Sequence, residues 1–114
     1  MDIITRIYAQ LFIYRDKMTL IDEHTAGRIA ELFEALSDPT RVRIIAALAG
    51  GELNVRAIAE AIGLSESAIS HQLRGLRHRH IVQGRKVGRQ VYYSLEDDHI
   101  ADLYTRGLDH VRHG

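Results

Sequence analysis

The chain has 114 residues, room for one small domain, and its 46% apolar and 26% charged content is that of a globular protein rather than a disordered one. Fifteen basic and fifteen acidic side chains cancel to a formal net charge of zero, so total charge selects no class of partner. No cysteine is present, which excludes disulfides, thiolate nucleophiles and every thiolate metal site.

The apolar runs are too short to span a bilayer, and the N-terminus lacks the basic and apolar regions of a secretory signal. A cytoplasmic location and no membrane partner are the expectations. From Asp2 to Tyr14, the residues Ile3, Ile4, Ile7, Tyr8, Leu11 and Phe12 recur at helical spacing, and residues 1–21 read as a helical extension. Asp22 to Leu36 repeats the period with Ala26, Ile29, Ala30, Leu32, Phe33 and Leu36, so the two segments read as one bent helix or two short ones. Ser37-Asp38-Pro39 stops that helix, and Asp38 caps a new one with Pro39 at its first position. Val42, Ile44, Ile45 and Leu48 form its inner face, and Gly50-Gly51 ends it.

Residues 54–79 read as two helices joined by a tight turn. Asn54 caps the first, with Val55, Ile58, Ala59 and Ile62 turned inward. Gly63-Leu64-Ser65 makes the turn, and Ser65 caps a second helix lined by Ile69, Leu73 and Leu76. Over residues 81–95 the period becomes strand-like. Ile81-Val82 and Val91-Tyr92-Tyr93 flank a basic, Gly-punctuated stretch from Gly84 to Gln90, which predicts a β-hairpin with a loose tip. Residues 97–113 close the chain as a helix. The fold expected is mainly α with a small β-hairpin: a winged helix-turn-helix, with residues 1–114 as a single domain.

Charge is unevenly spread along this order. Between Ser67 and Leu95 there is no acidic residue, while Arg74, Arg77, Arg79, Arg85, Lys86 and Arg89 all fall there. Phosphate neutralisation needs clustered cations, not a high total charge, so a neutral chain can bind DNA. Ser67, Ser70, His71 and Arg74 lie near the start of the second helix, where small polar groups reach base edges. Arg77 belongs with these DNA-binding residues, and the hairpin cations Arg85, Lys86 and Arg89 suit the adjacent backbone or minor groove. Double-stranded operator DNA is the expected partner.

The last helix carries Asp97, His99, His110 and His113. At ~100° per residue His99 and His110 share a face within ~20°, yet at ~1.5 Å rise they stand ~16 Å apart along the axis. One zinc ion with bonds near ~2 Å cannot reach both ends of one helix. Two antiparallel copies remove the difficulty, bringing Asp97 and His99 of one chain to His110 and His113 of the other. Ile100, Leu103, Tyr104, Gly107, Leu108 and Val111 form the apolar stripe such pairing needs. The reading is a homodimer through its terminal helices with two identical four-donor sites. Four nitrogen and oxygen donors suit tetrahedral Zn(II), with Co(II) as a mimic.

Several stretches resemble the ArsR/SmtB family of bacterial metal-sensing repressors, from about Leu32 to His113. They are Ala35-Leu36-Ser37-Asp38-Pro39-Thr40-Arg41, Leu64-Ser65-Glu66-Ser67-Ala68-Ile69-Ser70-His71-Gln72-Leu73-Arg74, and Gly88-Arg89-Gln90-Val91-Tyr92-Tyr93-Ser94-Leu95. Asp97-x-His99 followed by His110-x-x-His113 resembles the C-terminal helix site of the zinc- and cobalt-sensing members. The resemblance implies a homodimeric repressor that holds its operator without metal and leaves it when metal binds. It implies DNA contacts from Ser67, Ser70, His71 and the wing, and an allosteric relay between His110 and His80. Two departures matter. Where arsenic, cadmium or lead sensors place cysteines this chain reads Glu52-Leu53-Asn54-Val55-Arg56, and Glu66 stands where many relatives have Gln.

A Zn(II)-responsive repressor is therefore the leading expectation. Within the same fold the alternative is a Ni(II) or Co(II) sensor that reaches six-coordination with extra ligands from His24 or the N-terminus. A DNA-binding module with a merely structural metal is another option. A metallohydrolase needs an open coordination position and a nearby general base, and the sequence offers neither.

Overall fold

The computed structural model describes residues 2–9 and 20–114. The chain divides into two units, Met1–Glu31 and Leu32–Gly114. In the first, a helix α1 covers residues 3–9, and a second helix, α2 (Glu23–Ala35), begins. Both starts are capped by aspartate: Thr5 N–H donates to Asp2 and Thr25 N–H donates to Asp22, each at 2.7 Å. Those hydrogen bonds favour the ionised carboxylates and hold both below the usual aspartate range. The rest of the expected N-terminal helix, at Leu11 and Phe12, lies outside the described residues.

In the second unit α2 ends at the buried Ala35. Arg41 reaches back to its last turn, donating from Nε to the Ala35 carbonyl at 2.7 Å and from Nη2 to the Glu34 carbonyl at 3.0 Å. Asp38 caps α3 (Pro39–Ala49) by accepting from Arg41 N–H at 3.0 Å, with Pro39 as its first residue. A two-residue strand β1 (Leu53–Asn54) follows, then α4 (Val55–Ile62), whose cap Asn54 accepts from Ala57 N–H at 2.9 Å. Gly63 takes a left-handed conformation at φ 83° and its N–H closes α4 on the Ala59 carbonyl. Ser65 then caps α5 (Glu66–His78). The helix pair is thus set by two side-chain caps and one glycine that can turn left-handed cheaply.

Strands β2 (Val82–Val87) and β3 (Gln90–Leu95) form the wing, and α6 (Asp98–His113) closes the chain with Asp97 as its cap. The sheet is antiparallel in the order β1-β3-β2. Val87 pairs with Gln90, so the turn is only Gly88-Arg89, with Gly88 at φ 61°. A two-residue hairpin turn with glycine first matches strand twist, and the tip expected to be loose is tight. The third strand, β1, is an addition to the expected hairpin. Ile44, Ile45, Ile58, Ile69, Leu73, Leu76 and Val82 are almost wholly removed from solvent, so α3, α4, α5 and the wing share one core. Ile100 joins α6 to it. A mainly α fold with a small antiparallel sheet, a winged helix-turn-helix, is what the sequence predicts and what forms.

Candidate functional site

Helix α5 buries Ile69, Leu73 and Leu76 completely, and helical spacing then fixes which residues face out. Ser67, His71, Arg74 and Arg77 are exposed and Ser70 is half-buried. The first turn thus offers small polar groups, with cations further along. Beside it an open cavity of about 500 Å³ is lined by Arg41, His71, Arg74, His78 and Arg79 together with Gln72 and Gly75. No carboxylate lines this cavity, and it carries the positive surface from α5 to the start of α3. Part of Arg41 is already engaged in holding the end of α2, a role its sequence position did not disclose.

On the wing, Lys86 and Arg89 are exposed near the tip. Arg85 is different. Its Nη2 and Nε donate to the two oxygens of Glu52 at 2.5 Å and 3.1 Å. Hydrogen bonding from Arg85, with its positive charge, holds the Glu52 carboxyl below its usual range, and the same pairing pushes the guanidinium up. Arg85 therefore meets any phosphate from within an ion pair. The run of residues lacking acids ends at Ser67, so reading along the chain misses Glu52.

Helix α6 separates the four expected metal donors into two pairs. At its start Asp97 Oδ1 accepts from His99 N–H at 2.9 Å and lies 3.3 Å from His99 Nδ1. At its end His113 Nδ1 lies 3.0 Å from Asp109 Oδ1 and 2.9 Å from the Asp109 carbonyl. His99, His110 and His113 are exposed. Among the described residues no three carboxylate or imidazole groups of one chain converge on a common point. The donor chemistry fits a first-row divalent cation, imidazole with carboxylate, but each helix end holds only part of a set. Asp109 was not singled out from sequence, although its four-residue spacing to His113 places the two on one face.

An apolar groove of about 300 Å³ runs between α3 and α6, walled by Val42 and Ile45 on one side and Leu103, Tyr104, Leu108 and Val111 on the other. Val111 is 73% exposed, Ile100 is buried, and Leu103, Tyr104 and Leu108 are half-buried, so the stripe predicted on the last helix is only partly covered within one chain. His80, at the end of α5, has φ 60°, a left-handed conformation uncommon outside glycine, and its N–H donates to the Arg77 carbonyl. Among the described residues no hydrogen bond joins His80 to His110.

The sequence family described as "Bacterial regulatory protein, arsR family" matches residues 38–83, from the cap of α3 into β2. A Synechocystis sp. protein described as a transcriptional repressor SmtB homolog is 52% identical over 87 residues, 76% of this chain and 66% of that protein, just under two thirds of its length. The HTH-type transcriptional regulator NmtR of Mycobacterium tuberculosis is 42% identical over 93 residues, covering 82% of this chain and 78% of the relative. Among solved structures, the AntR antimony-specific transcriptional repressor superposes with a TM-score of 0.77 at 33% identity, over 82% of this chain and 86% of that one. No helix among the described residues is long and apolar enough to cross a membrane. Fold, helix-turn-helix and sequence identity agree, and the chain belongs to the ArsR/SmtB family of bacterial transcriptional regulators, a family of DNA-binding proteins and not of enzymes.

Proposed function

We propose that the protein is a metal-responsive transcriptional repressor: a homodimer that binds operator DNA without metal and is released by Zn(II) held between the two copies. The observation that carries this reading is the division of donors on α6. Asp97 and His99 stand at one end and His110 and His113 at the other, and among the described residues no single chain gathers three. The apolar groove beside them favours a second copy packed along α6. Names of relatives add support, since AntR is described as an antimony-specific repressor.

In this reading Asp97, His99, His110 and His113 hold the ion. Zinc supplies a charge-bearing cross-link, and the chain supplies its geometry. Asp97 Oδ1 already caps α6, which leaves Oδ2 for the cation. Asp109 fixes the His113 ring through Nδ1, which presents Nε2 outward. The wing precedes α6 directly, so fixing that helix biases the separation of the two recognition helices, to which half-site binding is sensitive. His80 and His110 are the pair proposed to relay the change. The reading is tested by asking whether zinc dissociates the metal-free protein from its operator.

DNA contacts are assigned to Ser67, Ser70, His71, Arg74, Arg77, Lys86 and Arg89, with Arg85 in reserve behind its ion pair. Lys86→Ala is expected to weaken operator and non-specific binding alike and to flatten the salt dependence, because phosphate contacts carry no sequence information. His71→Ala is expected to cost roughly 1–3 kcal/mol on the operator and little elsewhere. Competition titrations against operator and random duplex check both. Equal loss on all sequences for His71→Ala would contradict the assignment of α5 as the reading helix.

A further inference from the structure

Between Ser67 and Leu95 the sequence places no carboxylate, yet the fold brings one to the wing. The strand order puts Glu52, immediately before β1, across the middle strand from β2. Tyr92 pairs with Asn54 on one side and with Arg85 on the other, so Asn54, Tyr92 and Arg85 stand in one row on one face of the sheet. Glu52 lies two positions before Asn54 and shares that face. Its carboxylate spans the middle strand, and Arg85 donates to both oxygens in the two-pronged arrangement that makes such pairs strong. On the same side Asn54 Nδ2 donates to Gln90 Oε1 at 2.6 Å. Residues 52–54 therefore fasten both strands of the wing to the start of the helix-turn-helix.

We propose that Glu52 sets how strongly the wing binds DNA, by pairing Arg85 with a carboxylate that a DNA phosphate must displace. The proposal rests on the DNA-binding reading above. Cationic side chains gain affinity for DNA by replacing condensed counterions on phosphates. Arg85, already paired, forfeits part of that gain, and the Glu52 charge stays beside the incoming phosphate. Among the described residues Lys86 and Arg89 take part in no ion pair, so they engage phosphate without this competition. The Glu52 side chain is 32% exposed and that of Arg85 64%, so the pair is screened by salt and open to a competing anion.

The test is Glu52→Gln in the full-length, metal-free protein, titrated onto a random-sequence duplex between about 50 and 200 mM salt. Glutamine keeps the size and one acceptor while removing the charge. Binding is expected to tighten several-fold at the lowest salt, with the slope of log K against log salt steeper by about 0.9 for each wing that gains a phosphate contact. Adding Arg85→Ala to Glu52→Gln is expected to return the slope to that of the unaltered protein. Unchanged or weaker binding by Glu52→Gln would overturn the proposal, as would a steeper slope that survives Arg85→Ala. Absence of salt-dependent binding by the unaltered protein would instead contradict the DNA-binding reading itself.

Discussion

Leu73→Ala is expected to lower the free energy of unfolding by about 2–5 kcal/mol, because it opens a cavity that the surrounding helices only partly collapse to fill. Leu73 is fully buried, as are Ile69 and Leu76 on the same face of α5 and Ile44 and Ile58 on the helices opposite. Small domains are stable by only about 5–15 kcal/mol, so this one truncation removes a large share of the margin. The consequence reaches function, since the same helix carries Ser70, His71 and Arg74 on its outer side. Arg74→Ala, one residue along but exposed, is expected to change stability by no more than about 0.5 kcal/mol. Urea denaturation of the two variants separates packing from surface. A loss of less than about 1 kcal/mol for Leu73→Ala would contradict its place in the core.

The second large effect concerns the metal. His99→Ala and His110→Ala are each expected to abolish tight binding, because either change removes one of four donors from every shared site. Mixed after unfolding and refolding together, the two variants should recover some of it. A heterodimer joins the intact Asp97 and His99 of one chain to the intact His110 and His113 of the other, and loses the second site completely. Random assortment at equal concentrations then restores about a quarter of the original sites, a figure that follows from two-fold symmetry. Cobalt(II) absorption reads the result, with the band intensity of a four-coordinate site as its signature. No recovery on mixing would show that the donors do not cross between copies.

Local punctuation was legible in the sequence because it is local. Asp38 before Pro39, Asn54 before Val55 and Ser65 before Glu66 each cap the helix that follows, and each side chain accepts from the backbone N–H three residues ahead. The buried faces of α3, α4 and α5 followed from helical spacing. What escaped depends on residues far apart in the chain. Strand β1 is two residues long and exists because Leu53 and Asn54 meet Tyr93 and Tyr92. Glu52 and Arg85 are 33 positions apart and meet only once the sheet has formed. The wing tip misled for a different reason. Arg85 and Lys86 sit in a basic, glycine-flanked stretch with weak strand preference, and pairing with Tyr92 and Val91 overrides that preference. Along α6 the spacing of donors could be read directly, whereas the surface proposed to complete them belongs to a second copy, which one chain signals only by a partly covered apolar stripe.

In the proposed mechanism metal and DNA compete through the protein. Linkage requires that zinc weaken DNA binding by the factor by which DNA weakens zinc binding, typically about 1–3 kcal/mol. The direct measurement is fluorescence anisotropy of a labelled duplex, selected from a random pool by the metal-free protein, as zinc is added to the complex. Dissociation with about one zinc per chain, reversed by a chelator and lost in His99→Ala, is the expected result. Anisotropy that stays level, or rises, while zinc occupies the sites would contradict it.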